Sequence, residues 1–212
     1  MKTRNLFLLV TLLAIAQGTW AQGIPYVDRS WDEATQRVVE KIDTCKDYRT
    51  FGGYDEWFGL DDNQWYVVRG HVRQTALNVL GDAHIILCDN AVLDVKHIKL
   101  ESGKKLHIYG QQRGNGRLVA RNTEANGGYT GAAGIGGGAN ESMGNLHIHG
   151  GNVIAHGNKY AAGIGGGKNG HGGWLVVYGG YVEGHAGADA AVIGGGETGN
   201  GQSVKIYGGT VW

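Results

Sequence analysis

The chain has 212 residues, 40 of them glycine and one proline, and its 19 basic side chains balance 19 acidic ones. Without a basic excess there is no electrostatic footprint for nucleic acid, nor for a polybasic hold on a membrane surface. Twenty-nine of the glycines fall in residues 127–212, but the strict G-X-Y period and abundant proline of collagen are missing. The glycines recur with aliphatic and aromatic residues at fixed positions, which a solvated linker has no need to keep.

Lys2 and Arg4 precede an apolar run from Leu6 to Ala16, and Thr19-Trp20-Ala21 places small residues where a signal peptidase reads. Residues 1–21 are therefore expected to be a cleaved signal, leaving 17 basic and 19 acidic residues and a net charge of 17 − 19 = −2. The run is short for a bilayer span, and no cysteine at the cleavage point could take a lipid. The expectation is a soluble exported protein, secreted, periplasmic or at the cell surface, with no membrane anchor in this chain.

Residues 22–64 read as an N-terminal cap. Ser30 followed by Glu33 makes a capping box, after which Trp31, Ala34, Val38, Val39, Ile42 and Cys45 fall on one face at helical spacing. An amphipathic α-helix is expected over 30–46. In an oxidising compartment Cys45 and Cys88 fit one disulfide joining the cap to the body; the alternative is that Cys88, in the run Ile85-Ile86-Leu87-Cys88, is simply a buried small residue.

From Trp65 onward, apolar runs of three to five residues alternate with Gly, Asn and Asp turns, the pattern of many short strands. Ala132-Ala133-Gly134-Ile135-Gly136-Gly137-Gly138 recurs from Ala161 and, as Ala-Ala-Val-Ile-Gly-Gly-Gly, from Ala190, in steps of 29 (132 to 161 to 190). A second block keeps the same step: Leu146-His147-Ile148-His149-Gly150-Gly151, then the segments starting at Leu175 and Val204. Two blocks in one phase predict stacked identical units. Three short strands with glycine corners per unit make one turn of a β-solenoid over residues 65–212, with Leu146, Ile148, Val153 and Ile135 inward above Leu175, Val177, Val182 and Ile164. A tandem array of hairpins is the structural rival, disfavoured because no Asn-Gly turn is flanked by alternating runs.

Gln64-Trp65-Tyr66-Val67-Val68-Arg69-Gly70, Leu106-His107-Ile108-Tyr109-Gly110-Gln111 and the AAGIGGG blocks resemble secreted bacterial proteins of the right-handed parallel β-helix, pectate-lyase-like superfamily, in particular carbohydrate-binding ones. The resemblance covers residues 65–212 and implies an all-β exported protein that handles polysaccharide or adheres to it. The last unit stops at Trp212 without the polar cap that usually closes a solenoid, so the chain is expected either to be part of a longer protein or to self-associate end to end.

Strand alternation places two outward columns: His107, His147, Val176 and Lys205, and beside it Tyr109, His149, Tyr178 and Tyr207. Aromatic rings repeated up one face suit stacking on sugar rings; equally, they could only brace successive turns against each other. Trp174 interrupts the repeat where Asn145 and Ser203 stand in neighbouring units. His156 and His185, one unit apart, form a polar column near Arg121 that could attract an acidic glycan. These residues, Tyr109, His149, Tyr178, Tyr207, Trp174, His156 and His185, are the expected ligand contacts.

The pair His147-X-His149 shares a strand face but has no obvious third metal ligand, Glu141 being the nearest acid in sequence, so no metal or cofactor is expected. A lyase would need clustered acids to hold calcium and a base for the proton beside a uronate carboxylate. Only Asp61-Asp62 is an acidic doublet, and it precedes the expected solenoid, so no catalytic residue is assigned. The expected function is non-catalytic polysaccharide binding or surface adhesion. The rivals are a lyase built on the insertion 110–131 with Arg113, Arg117 and Arg121, and a purely structural stalk of a larger adhesin.

Overall fold

The computed structural model describes residues 23–52, 54–201 and 203–212. The expected signal, residues 1–21, lies outside them. The short apolar runs form parallel strands that visit three sheets in rotation. Sheet A stacks Arg49–Thr50, Trp65–Val68, Asp82–Leu87, Lys105–Gly110, Asn145–Ile148, Trp174–Val177 and Ser203–Ile206. Sheet C stacks His71–Arg73, Val92–Val95, Arg117–Arg121, Asn152–His156, Tyr181–His185 and Thr210–Val211. Sheet B stacks Trp57–Leu60, Ala76–Val79, His97–Lys99, Ile135–Gly136, Ile164–Gly165 and Ile193–Gly194. Each strand thus pairs with the equivalent strand of the next turn, the strand order of a three-faced β-solenoid.

The inward ladders are those the repeat predicts. Leu146 pairs with Leu175, Ile148 with Val177, Val153 with Val182 and Ile135 with Ile164, and all eight side chains are buried. Each such side chain removed from water contributes about 1.5–3 kcal/mol, so the core grows by one apolar layer per turn. Gly136, Gly165 and Gly194 stack on one another with φ of 142°, 149° and 144°. A Cβ on Gly136 would run into the Gly165 carbonyl, and one on Gly165 into that of Gly194. Only glycine allows this corner at the observed spacing of turns.

The parallel sheets begin before residue 65. Trp57–Leu60 already pairs with Ala76–Val79, and Leu60 is buried.

The helix expected over 30–46 is not formed. Ile24–Asp32 (β1) and Arg37–Cys45 (β2) are antiparallel strands in register from Ile24–Cys45 to Asp32–Arg37. Asp32 closes the turn, accepting from the Ala34 N–H at 2.9 Å and the Thr35 hydroxyl at 2.8 Å, and Gln36 takes a φ of 52°. An Asp at that place favours a side-chain-bonded turn, and Val38, Val39, Ile42 and Thr44 favour strand. Docking decides the outcome: Ile24, Val27 and Cys45 are buried, and Val27 pairs antiparallel with Gly110 of sheet A. Among the described residues the one helical element is a 3-10 turn at Glu124–Asn126, and no helix is long and apolar enough to cross a membrane.

Candidate functional site

The β1–β2 hairpin lies over the outward side of sheet A, and this decides the fate of the two expected columns. The first column is longer than expected, with Trp65, His84, His107 and His147 in successive register. Their rings stack at 4.3 Å (Trp65–His84), 4.8 Å (His84–His107) and 4.6 Å (His107–His147). The second begins with buried Val67 and Ile86, which form a small second core with Ile24, Cys45 and Tyr109 beneath the hairpin. It continues as a ring stack, Tyr109–His149 at 4.2 Å, His149–Tyr178 at 5.0 Å and Tyr178–Tyr207 at 5.7 Å, which Trp31 of β1 closes on Tyr207 at 4.5 Å.

Tyr109 and His149 are therefore buried, and the faces of Tyr178 and Tyr207 are taken by neighbouring rings. This corrects the expectation that the column stacks on sugars: a ring sandwiched between two others has no face left for a pyranose. A groove of about 810 Å³ between the hairpin and the last turns is lined in part by Trp31, Arg37, Tyr178 and Tyr207.

Hydrogen bonds lock the hairpin to this stack. His149 Nδ1 donates to the Arg29 carbonyl at 2.7 Å, and Arg29 Nη1 donates to the His149 carbonyl at 2.9 Å. Gln111 Nε2 donates to the Pro25 carbonyl at 2.8 Å. Burial pushes the Tyr109 hydroxyl far above its ordinary pKa, and it lowers His107 to about 3 and His149 to about 4. His84 and His147 shift down for the same reason. The stack is uncharged at neutral pH, which lets imidazole rings lie face to face without repulsion.

Cys45 and Cys88 both border the small core, but both thiols are free rather than bonded to each other. Cys45 Sγ turns instead to the Asp47 carbonyl at 3.2 Å, and burial raises both thiol pKa values.

Free aromatic faces lie elsewhere, at the corner where sheet C passes to sheet B. Tyr54 is 70% exposed and meets no other ring among the described residues; its hydroxyl accepts from the Thr75 hydroxyl at 2.5 Å. Trp57, 44% exposed, leans on Tyr129 at 4.9 Å and stands edge-on to buried His97. Beside them is a cleft of about 230 Å³ lined by Tyr54, Arg73, Gln74, Asp94, Lys96, Arg121 and Asn126, among others. Its far wall comes from the insertion: Asn126 belongs to the 3-10 turn, and Lys96 Nζ donates to the Gly127 carbonyl at 3.2 Å. Three cations face one carboxylate there, Asp94, which Arg121 holds at 2.8 Å. No protein-family model, curated protein or solved structure matches this chain.

Arg121 continues in register into His156 and His185, whose rings stack at 4.2 Å, so these two expected contacts extend from the cleft along sheet C. His185 also meets Glu183 at 2.6 Å. Trp174 is half exposed at the start of its strand in sheet A and meets no ring among the described residues. Of the three insertion arginines only Arg121 lines the cleft. Asp61 and Asp62 serve turns, Asp61 pairing with Arg49 and Asp62 accepting from the Asp82 N–H at 2.7 Å. Glu141 is engaged with Lys99 at 2.9 Å and is no partner for His147 and His149. Among the described residues the group with metal-ligating geometry is Asp82 and His84, on one strand of sheet A, with His107 on the strand of the next turn.

The cleft was only partly foreseeable. Arg121 and the insertion stand out in the sequence as a basic cluster, whereas Tyr54, Trp57, Arg73 and Lys96 sit on separate turns with no shared period to connect them.

Proposed function

We propose that this is an exported, non-catalytic protein of the right-handed parallel β-helix type that binds acidic polysaccharide at the corner between sheets C and B. The observation that carries the reading is exposed Tyr54 with Arg73, Lys96 and Arg121 around one cleft, and Trp57 exposed on the neighbouring strand of sheet B. A sugar ring stacks on an exposed aromatic face, and its carboxylate is met by cations in the fork geometry arginine provides. The Arg121, His156 and His185 strip extends contact to further residues of the same polymer, and Trp174 offers a separate platform. Contact of this kind is shallow and multivalent, with affinity gathered over several sugars. The cleft has a single acidic side chain, already paired with Arg121, which is too little carboxylate for the calcium a lyase would hold.

Native affinity gels cast with neutral and with uronate-rich polysaccharides test this. The protein is expected to be retarded by the uronate polymers without shortening them. Trp57→Ala and Arg121→Ala should each weaken retention about tenfold, the effect of losing ~1.4 kcal/mol at a binding hot spot. Retention unchanged in both variants, or shortening of the polymer, would overturn the proposal.

A further inference from the structure

The hydrogen bonds around the histidine stack run in one direction and end on an atom pair that has no proton to share. His149 Nδ1 faces the Arg29 carbonyl at 2.7 Å, and a carbonyl only accepts, so Nδ1 carries the proton. Nε2 of a neutral His149 is then a bare acceptor, and it lies 3.2 Å from His107 Nδ1, which must donate. That leaves His107 Nε2 with its lone pair outward, 3.3 Å from Asp82 Oδ1. Asp82 Oδ1 is buried and accepts no hydrogen bond from any side chain or backbone group among the described residues. Two acceptors thus confront each other at close range, with His84 Nε2 3.8 Å from the same oxygen. Lys105 does not relieve the clash, because it approaches the other oxygen, Oδ2, at 3.4 Å.

We infer that Asp82, His84 and His107 form a binding site for a divalent transition-metal ion of the zinc class, separate from the polysaccharide cleft. The three ligand atoms lie within 4.8 Å of one another. A tetrahedral Zn²⁺ with bonds of about 2.0–2.1 Å holds its ligand atoms roughly 3.3 Å apart, the separation already present between His107 Nε2 and Asp82 Oδ1. Imidazole and carboxylate donors suit zinc and its neighbours better than calcium or magnesium, which prefer oxygen alone. The support a metal-bound imidazole needs is in place: His107 donates its other N–H to His149, and His149 donates to the Arg29 carbonyl of the hairpin. Three protein ligands leave the fourth position to water or to a donor atom of a bound molecule.

Titration of the metal-free protein with ZnCl₂ by calorimetry, and with CoCl₂ by visible spectroscopy, tests the site. The expected result is one ion per chain, with the intense absorption of tetrahedral Co²⁺. Asp82→Asn, which keeps the side-chain shape, and His84→Ala, which removes one imidazole ligand from between Trp65 and His107, should each abolish the cobalt bands while far-UV circular dichroism stays unchanged. His149→Ala should weaken zinc binding by about 10–100-fold and leave the ligand set intact. His185→Ala, in the separate sheet C pair, should change nothing. No uptake by the wild-type chain, or uptake and cobalt bands that persist in Asp82→Asn and His84→Ala, would overturn the assignment.

Discussion

His97 shows how one residue records its surroundings. It is buried between Trp57 and the Ala133 corner, its Nδ1 donates to the Ala133 carbonyl at 2.7 Å, and its Nε2 has no partner among the described residues. A second proton would sit on Nε2 facing no acceptor, and burial accordingly lowers its pKa from 6.5 to about 4. Because the folded pKa lies below the unfolded one, the unfolded chain takes up the proton first as pH falls, and stability drops between about pH 6.5 and 4. Buried His107 and His149 lose stability over the same range, so the loss between pH 7 and pH 4.5 in urea unfolding should be smaller by about 2–3 kcal/mol in His97→Asn than in the parent. An equal loss in that variant would refute the attribution. At this scale little of the site was legible. Sequence position does not reveal that Tyr54 and Trp57 share a corner with Arg121, because the insertion that brings them together has no period. The aromatic column was placed correctly on one outward side of sheet A. What sequence could not supply was the second layer that covers it.

The hairpin is that layer, and it is the element that was misread. Its apolar residues fit a helical stripe and a strand about equally, and a single amphipathic segment carries no neighbour to settle the matter. A clue lay in the partner. Tyr66-Val67-Val68 and Ile85-Ile86-Leu87 are apolar at consecutive positions, which a strand needs only when both its faces are covered. The cover is held in part by the Trp31–Tyr207 stack and by the exposed Arg29–Glu40 pair at 2.6 Å, of which the ring contact contributes more. Trp31→Ala should therefore loosen the hairpin by about 1 kcal/mol, read as roughly five-fold faster hydrogen exchange at β1 and β2 amides with the solenoid amides unaffected. Faster exchange spread evenly over the chain would show that the hairpin is not a separate unit.

For the molecule as a whole the 29-residue step was the strongest signal, because two blocks in one phase admit few arrangements besides stacked turns. The earlier turns, interrupted by the 110–131 insertion, keep the ladder without the step, which is why the period is legible only from residue 132. The glycine corner carries the architecture. Gly165→Ala would drive a methyl group into the Gly194 carbonyl at a φ of 149°, and should remove about 3 kcal/mol or more. Gly201→Ala, where an added Cβ meets nothing within 4 Å, should stay within about 0.5 kcal/mol of the parent. Equal melting temperatures for the two variants would contradict the corner's role.

The same hairpin also sets an order of events in time. Its strands are the first described segment to leave the ribosome, yet Arg29 bonds to His149, 120 positions later, and Trp31 rests on Tyr207, later still. Contacts so distant in sequence close slowly, and these cannot close before the turns that bear them exist. Until then the hairpin is a pair of open edges with its apolar side bare, the kind of surface that nascent chains pair wrongly. This early-made segment is the last to find its place.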